Sequence, residues 1–386
     1  MSNYLSSIAI ASMAITLKEV HSKRDLKSFI FFPFWLYQKN RNWVPPLVKD
    51  EFDTFNTSKN PIYNTADSRL YLVFKDRRVA GRVAVLAHRH ELEKEKKMRF
   101  GWLDFENDAA VSAKLFEAII DAAKELGATQ IEGPLGFTDL DRAGLLVEGF
   151  EEPGNMTTWY NAPYYEKHYV VNGFIKKKDY LEYQFNVPLK VPERILRLAD
   201  VVDHKFALRE LRIKNKAEMR RASIKVLKLM GETYKRLYNY VPMQDDQMAF
   251  YAEQFLNFLP PENVMVLVDV ADRYVAFAVT MPSLASAAKK TNGQLYPFGF
   301  LRFLYAMKNS KKVELLLIGV HPDYQNKGIT ALIFKKLIEV FIAKGITLVE
   351  SNPQQEDNKE IHALFAKDYD SRQHKRRRVY TKILEG

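Results

Sequence analysis

The sequence predicts a mixed α/β protein, with a mixed sheet and helices in each of two units joined in tandem. The chain has 386 residues, more than the roughly 100–200 that one domain usually holds. In both halves, short β-branched runs alternate with segments whose apolar residues recur every three or four positions. Between the halves, a stretch with Pro188 and Pro192 is typical of a linker. We therefore expect an N-terminal extension at 1–13, a first domain at 14–186, a linker at 187–205 and a second domain at 206–386.

The first domain is expected to begin with a strand and an aromatic helix and to continue as strands that lead into one long helix. Asn107 and Asp108 precede an alanine-rich apolar repeat and are typical helix caps, and Gly127 is a typical stop. In chain order we predict strands at 14–20, 70–75, 79–87, 99–105, 129–133 and 180–186, and helical segments at 29–37, 109–126, 140–148 and 163–171.

The second domain repeats this alternation around one long insertion. Pro260 and Pro261 end a helix. The insertion, 282–311, is longer than a hairpin loop needs, and its segment 297–312 is aromatic first and basic at its end. That segment suits an acyl-chain wall, a contact with an anionic membrane, or a helix docked on the first domain. We predict strands at 206–211, 264–270, 273–281, 313–320, 346–350 and 379–384, and helices at 216–238, 245–258 and after Gly328.

The turn after the strand at 313–320 is a candidate binding site. A strand, a turn with Pro322 and Gly328, and an apolar helix place a helix N-terminus at this loop. The backbone N–H groups of 326–331 would be unpaired donors there, and the helix dipole and Lys327 add positive charge. Since each such contribution is about 0.3–1 kcal/mol, several must act together. The arrangement predicts a site for phosphate or pyrophosphate.

The residues Val320-x-Pro322-x-x-Gln325-x-x-Gly328-x-Thr330 resemble the acyl-CoA loop of GCN5-related N-acetyltransferases, the GNAT superfamily, usually written V-x-P-x-x-Q/R-x-x-G-x-G/A. Thr330 departs from the family's Gly or Ala, and would either crowd the pyrophosphate or add a hydroxyl donor. A purely structural turn is the alternative. The resemblance implies two tandem GNAT folds, an acyl-CoA co-substrate and no metal. It also implies these cofactor-binding residues: Ile318, Val320, Gln325, Asn326, Lys327, Gly328, Ile329, Thr330 and Ala331.

The first domain resembles the family in the order of its elements and in the string YYEKHYVVNGF at 164–174. Three carboxylates, Asp104, Glu106 and Asp108, lie where the cofactor phosphate would sit and would repel it. We therefore expect a degenerate GNAT copy that contributes packing or shapes an acceptor site.

Two glutamates are candidate general bases. Glu314 lies six residues before Val320, which is the position of the base in histone-acetylating members of the family. Alternation along the strand would place Glu314 on one face with Leu316, Ile318 and Val320, and partial burial would raise its pKa to a useful value. Glu350 is the rival base because it ends the next strand, where open sheets keep their sites.

The remaining candidates lie beyond that strand. Asn352 and Asn358 could hydrogen-bond the cofactor or the acceptor, with helix capping by Asn358 as the alternative. The family's proton-donating Tyr falls on Phe365 here, and phenylalanine has no proton to donate. Tyr369, four residues further on, is the candidate general acid, and Tyr165 in the first domain and water are the alternatives.

Composition narrows the partners. The formal charge is +11 and the pI is about 9.3. The chain has no cysteine, and this excludes disulfides, a thiolate nucleophile and a Cys-ligated metal. Direct transfer of the acyl group is therefore favoured over a cysteine acyl-enzyme. His321, His362 and His374 lack ligand spacing, so we expect no metal site. The basic excess favours CoA, an anionic membrane surface or an acyl carrier protein, whereas no nucleic-acid module is present. We expect the cluster at 372–378 to be a solvated face, with the phosphate of CoA, a carrier protein or lipid as its alternative partners.

The predicted function is acyl-CoA-dependent N-acyl transfer to a primary amine. The FPFWLY, WVPPL and YVPM strings and the aromatic insertion also resemble large bacterial GNAT proteins that include ceramide synthases, which implies a lipid or sphingoid amine. The alternatives are acetylation of a small polar amine or protein lysine, and a non-catalytic acyl-CoA-binding or scaffold protein.

No uncharged apolar run approaches the ~18–20 residues of a membrane span, and the N-terminal run lacks a basic n-region. We expect a cytoplasmic protein, or one peripheral to the inner membrane face. The length of the acyl chain, the identity of the amine acceptor and the oligomeric state stay open.

Overall fold

The computed structural model describes residues 14–385, apart from the side chains of 254–258, 360 and 368. The predicted extension at 1–13 lies outside the described residues. Within this part of the chain, fourteen strands form one mixed sheet with helices on its faces, so the predicted α/β class is confirmed. None of the described helices has both the length and the apolar character needed to span a bilayer.

The first half of the chain alternates strands and helices largely as predicted, but one predicted helix is wrong and the short helices at Val48–Thr54 and Arg89–Glu95 were not predicted. Asp108 caps its long helix, since Asp108 Oδ1 accepts from the N–H groups of Ala110 (2.8 Å) and Val111 (3.2 Å). The helix predicted at 140–148 is wrong, because Leu145 to Glu148 form a strand that pairs with the last strand of the chain. The elements are β1 (Ile15–Glu19), α1 (Lys23–Leu36), α2 (Val48–Thr54), β2 (Ala66–Lys75), β3 (Arg78–His88), α3 (Arg89–Glu95), β4 (Lys97–Phe105), α4 (Ala109–Glu125), β5 (Gln130–Gly133), β6 (Leu145–Glu148), α5 (Tyr165–Val171) and β7 (Ile175–Asn186).

The second half begins inside the predicted linker. Ile195, Ala199 and Val202 are buried on a helix that packs against the apolar helix after Gly328. This helix takes up most of 187–205, and only two residues of the strand predicted at 206–211 form a strand. The elements are α6 (Glu193–Phe206), β8 (Arg209–Glu210), α7 (Lys216–Tyr234), α8 (Asp245–Phe258), β9 (Val264–Val268), β10 (Tyr274–Pro282), α9 (Ala285–Thr291), α10 (Gly299–Asn309), β11 (Lys312–Val320), α11 (Ile329–Ala343), β12 (Leu348–Ser351), β13 (Gln354–Gln355), α12 (Lys359–Asp368) and β14 (Arg372–Ile383).

The last strand of each half belongs to the sheet of the other half. The order along the sheet is β1-β2-β3-β4-β5-β14-β7-β12-β11-β10-β9-β8. Strand β14, from the second half, pairs with β5 of the first, while β7, from the first half, pairs with β12 of the second. β7 and β14 pair with each other between them. The two halves therefore exchange strands, and their boundary in space does not coincide with a single point in the sequence.

Both faces of the second-half sheet are covered. One face packs its core against α6, α11 and α12, with Phe334 and Phe365 among the buried side chains. The other face packs against α7 to α10, where Met230 and Phe303 are buried. The site has to open at an edge or at the end of a strand, because neither face of this sheet is free.

Candidate active site

Strands β11 and β12 run parallel over a short distance and then separate. Their register extends from Lys312 opposite Leu348 to Leu315 opposite Ser351. Beyond it, the side chain of Asn352 closes the gap, because its Nδ2 donates to the carbonyl oxygen of Leu316 at 2.7 Å. From there on, β11 keeps β10 as its partner on one side only. Its other edge can pair with the amide groups of an extended ligand.

A bulge in β11 changes which side chains share a face. Val279 lies opposite Leu317 but the next residue of β10 lies opposite Leu315, so Leu316 is an extra residue. Ile318 therefore packs on the α11 core together with Leu315, while Leu316 and Leu317 pack on the opposite core. The predicted face shared by Glu314, Leu316, Ile318 and Val320 is wrong, because strict alternation ends at this bulge.

The loop after β11 presents an exposed helix N-terminus. Gly328 is the N-cap of α11 with φ at 79°, a left-handed conformation that favours glycine. Within the described chain, the backbone N–H groups of 326–330 donate to no protein group, whereas Ala331 N–H already donates to the Gly328 carbonyl oxygen at 2.9 Å. Ala331 therefore drops out of the predicted donor set. Lys327 lies within 6 Å of the rings of Phe206 (5.8 Å) and Tyr324 (5.6 Å), at the rim of the same loop.

A cavity of about 250 Å³ lies between the two halves where β11 and β12 separate. Of the predicted residues, Ile318, Asn352 and Asn358 line it, and the other eight cofactor-loop residues do not. Asn358 also caps α12, because its Oδ1 accepts from Ile361 N at 3.4 Å. The second half lines the cavity mainly with Tyr234, Leu315 to Ile318, Phe334, Ser351 to Gln355 and Phe365. The first half lines it with Arg99, Leu135, Gly136, Thr138 to Asp141, Ala143, Thr157, Thr158 and Tyr180.

The first half adds two carboxylates to this cavity, Asp139 and Asp141, which are not among the predicted site residues. Burial raises the pKa of Asp139 to about 7, and Arg99 and a hydrogen bond from Val241 N (3.2 Å) only partly oppose the effect. Asp141 is held by Thr138, whose N–H donates to its Oδ2 at 2.8 Å. Both follow β5 at its carboxyl end, so the rule that selected Glu350 would also have selected them.

The other polar groups around Asp139 are already engaged. Arg99 pairs with Glu91 at 2.6 Å and its Nη2 donates to the carbonyl oxygen of Asn239 at 2.7 Å. Tyr234 donates to the carbonyl oxygen of Ile318 at 2.9 Å. Asp139 is thus a half-buried carboxyl with a near-neutral pKa, in the wall of a cavity that also reaches the free edge of β11.

Comparison with known proteins decides the fold family. Residues 235–369 match the model of the acetyltransferase (GNAT) family. A solved tandem GNAT protein from the clavulanic acid biosynthesis pathway superposes with a TM-score of 0.57 at 12% identity, over 97% of this chain and 99% of that chain. The chain has a tandem GNAT fold. Acyl-CoA use is typical of this family, and the loop after β11 lies inside the matched residues.

Two curated relatives extend over nearly the whole tandem GNAT chain. Protein YghO of Escherichia coli is 28% identical over 94% of both chains. A protein of Caulobacter vibrioides named bacterial ceramide synthase is 23% identical over 95% of this chain and 96% of its own. The similarity therefore includes the first GNAT half, although that half lies outside the matched family model.

Neither predicted glutamate of the second GNAT half lines the cavity. Glu350 is fully buried, and although burial opposes its ionisation, Lys375 at 2.6 Å and Lys312 lower its pKa to about 2. Glu314 lies beside it in the parallel register, and burial together with the charge of Glu350 raises the pKa of Glu314 to about 7. Glu350 is a fixed counter-ion. Glu314 has a suitable pKa, but it is 3% exposed and does not line the cavity.

The predicted proton donors are core aromatics. Phe365 stacks on Tyr183 at 5.2 Å between ring centroids, and Tyr369 stacks on Phe185 at 4.7 Å. Tyr369 is buried and does not line the cavity. Tyr165 is buried in the first half, where Phe105 N donates to its hydroxyl at 3.0 Å. The structure therefore brings neither Tyr369 nor Tyr165 to the cavity, and Phe365, which does line it, has no proton to donate.

In the first half, a side chain takes the place of the phosphate. The carboxylate of Asp108 accepts the free N–H groups at the start of α4, and Lys75 pairs with it at 2.6 Å. Glu106 pairs with Arg78 on the adjoining turn. An anion of the protein itself thus satisfies this helix N-terminus, which supports the expectation of a degenerate copy.

Most of the basic cluster at 372–378 lies inside the sheet, and only its first two residues, Arg372 and Gln373, are exposed, so the expectation of a solvated face is wrong for the greater part of it. Arg377 is buried and pairs with Glu182, while Arg376 and Arg378 both pair with Asp179. The cluster lies on β14 between β5 and β7, so the strand exchange carries it into the sheet. Because carboxylates of β7 already neutralise these cations, the cluster offers little charge to CoA, to a carrier protein or to lipid.

One trio of described side chains has a spacing that suits a metal ion. Ligand atoms of Glu182, Glu350 and His374 lie within 4.8 Å of one another, and all three residues are buried. Lys375 Nζ lies 2.6 Å from Glu350 and 3.8 Å from Glu182. This ammonium group already supplies the positive charge that a metal ion would bring, so the trio fits an internal ion cluster better than a metal site.

Proposed function

We propose that this protein is an N-acyltransferase that moves an acyl group from acyl-CoA directly to a primary amine. The observation that carries the proposal is the shared cavity. It places the free edge of β11, beside the family's cofactor loop, and the near-neutral carboxyl of Asp139 around one space. The chain has no cysteine to form an acyl-thioester intermediate, and this supports direct transfer.

The cofactor would lie along β11 with its phosphates at the start of α11. The N–H groups of 326–330 and the ammonium of Lys327 would bind the pyrophosphate, because both the helix dipole and the charge favour an anion there. The backbone of Ile318 and Val320, beyond the bulge, would pair with amide groups of the pantetheine arm, and each carbonyl oxygen would accept a second hydrogen bond beside the one it has from Tyr234 or Gln325. The side chain of Gln325 donates to the Val320 carbonyl oxygen at 3.0 Å and so fixes the loop on the strand.

Asp139 is our proposed general base, in place of Glu314 and Glu350. An amine with a pKa of about 10 arrives as an ammonium ion and must lose a proton before its lone pair can attack the thioester carbonyl. A carboxylate with a pKa of about 7 accepts a proton far better than an ordinary aspartate does. The new C–N bond then forms as the C–S bond breaks. The nitrogen gives up a second proton as the amide forms, and water can carry that proton to the leaving thiolate, whose pKa of about 8.5 is close to neutral.

The acceptor class we favour is a lipid amine such as a sphingoid base. The name of the Caulobacter relative supports this choice, as does the apolar part of the cavity wall, which includes Leu135, Leu140, Leu316 and Phe334. The cavity is small for a complete lipid, since ligand sites usually hold ~300–1,000 Å³. It would therefore hold the amine end, and the tail would leave through the gap between the halves.

The test combines calorimetry with a thiol-release assay on the full chain. Binding of palmitoyl-CoA, its loss in Gly328→Glu, and thiol release with sphinganine are the expected results. Faster release from acetyl-CoA with a polar amine would favour the small-amine alternative. Binding of acyl-CoA without thiol release for any amine would favour a non-catalytic acyl-CoA-binding protein. The buried Phe365, at the position of the family's proton-donating Tyr, is consistent with that alternative. Failure to bind any of the CoA compounds would end the proposal.

A further inference from the structure

The insertion between β10 and β11 exposes an unusual amount of apolar surface. Around α10, six large apolar side chains are at least 40% exposed, and three of them are more than 70% exposed: Tyr296 (75%), Phe298 (74%) and Tyr305 (71%). We call this set the aromatic patch, and it consists of Tyr296, Phe298, Phe300, Leu301, Leu304 and Tyr305. A contiguous group of this kind is typical of an interaction surface, whereas single exposed apolar residues are not.

The geometry of α10 shows that the patch is not a loosely packed part of the core. Phe303 is 3% exposed and anchors the helix in the core against α7 to α9, and Ala306 and Met307 pack there as well. At 100° per residue, Leu301 and Tyr305 fall on the side opposite Phe303, about 160° away, while Phe300 and Leu304 lie on its flank, about 60° and 100° away. The helix is thus anchored through one face and carries a second apolar face that no described residue covers.

All the charged residues of the insertion that carries the aromatic patch are positive. Between Ser283 and Val313 there is no Asp or Glu, while Lys290, Arg302, Lys308 and Lys311 are exposed. Two glutamates border the adjoining groove, and each is paired with its own lysine: Glu210 with Lys336 (3.3 Å) and Glu262 with Lys344 (3.4 Å). The patch therefore combines aromatic rings with uncompensated positive charge.

We propose that the aromatic patch and its cations bind the anionic surface of a lipid bilayer. Aromatic rings favour the headgroup region, where an apolar body and a polar edge are both solvated. Each cation near an anionic surface strengthens binding on the order of fivefold, so the charges distinguish anionic from zwitterionic lipid. This interaction goes beyond acyl transfer. It is measured as binding, so it can fail while the proposed activity stands, and the reverse also holds.

The experiment is vesicle co-sedimentation with the full chain. Vesicles of equal parts phosphatidylcholine and phosphatidylglycerol are compared with phosphatidylcholine alone, at low and at high salt. We expect binding to the anionic vesicles only, weakened by salt. Arg302→Gln with Lys308→Gln should reduce the partition coefficient on the order of 25-fold, since two cations are lost. Phe298→Ser with Tyr305→Ser should abolish binding.

The matched control is Val170→Ser with Val171→Ser, which removes two exposed apolar side chains from the first half (60% and 75% exposed). It should bind like the wild type, and thermal melting should show that all three variants are folded. The proposal is overturned if the wild type stays in the supernatant with anionic vesicles, or if the control loses as much binding as the patch variants. A wild-type dimer that Phe298→Ser with Tyr305→Ser converts to monomers, with no vesicle binding, would show instead that the patch joins two copies of this chain.

Discussion

Replacing Asp139 by Asn tests the proposed base, because it keeps the shape of the side chain and removes its ability to take a proton. A general base usually contributes about 10²–10⁴ in rate, so kcat should fall by that factor. With the wild type, kcat/KM should rise about tenfold per pH unit below pH 7 and level off above it, since the pKa of Asp139 is raised to about 7. The variant should lose this rise.

The same substitution should stabilise the fold, and the sign follows from linkage. The folded protein holds the proton of Asp139 up to about pH 7, while the unfolded chain releases it near 3.8. Stability is therefore lost as the pH rises between these values, and the loss is complete above pH 7. The shift corresponds to at most about 4 kcal/mol, at about 1.4 kcal/mol per pKa unit. Because the side chain is half-buried, we expect Asp139→Asn to gain about 1–2 kcal/mol at pH 8 and nothing near pH 4.

The assays are thiol release across pH 5–9 and urea unfolding at pH 4 and 8. Asp141→Asn is the matched control, since Thr138 holds that carboxylate and we expect a much smaller loss of turnover. If Asp139→Asn keeps wild-type turnover with the same pH profile, Asp139 is not the base. If it loses turnover and also loses stability at pH 8, its role is structural and the linkage argument fails.

Three further substitutions probe the predicted residues. Glu314→Gln should leave kcat and its pH profile unchanged, because Glu314 is buried and does not line the cavity. A loss of more than about 10²-fold would restore it as the base. Glu350→Gln should lower the free energy of unfolding, measured by urea denaturation, by about 3–5 kcal/mol, because Lys375 and Lys312 would lose their buried partner. An unchanged urea midpoint would contradict the ion cluster. Gly328→Glu should abolish acyl-CoA binding in calorimetry, because the new carboxylate would repel the phosphates and a φ of 79° disfavours any side chain. Thermal melting should show that this variant is folded. Undiminished affinity would rule out the loop as the phosphate site.

Local patterns predicted those parts of the fold that local physics determines. The cap at Asp108, the helices at α4 and α8, and the strand-loop-helix around Gly328 follow from spacing and capping, and the structure has them. The strand at β6 could not be found in this way. Leu145 lies in a strand only because Arg378, more than two hundred residues away, is its partner. Such non-local pairing overrides local propensity.

The candidate site was harder to predict than the fold, for two physical reasons. One extra residue at Leu316 reverses the side-chain faces on either side of it, and alternation counted along the sequence cannot detect this. The second reason is that the cavity wall is shared between halves. Asp139 is far from β11 in sequence, and the sheet formed by the exchange of β7 and β14 places both on one cavity.

The strand exchange also gives a physical reason for a first half without a cofactor loop. Pairing of β7 with β14 places Glu182 against Arg377 and Lys375 inside the sheet, and a wrong register would leave these charges buried without partners. The correct register brings the carboxyl end of β5, with Asp139, opposite the end of β11. A first half that had kept its own cofactor would need that same strand end for its own site. On the proposed mechanism, losing its cofactor frees that strand end to provide the base and the acceptor wall for the site of the second half.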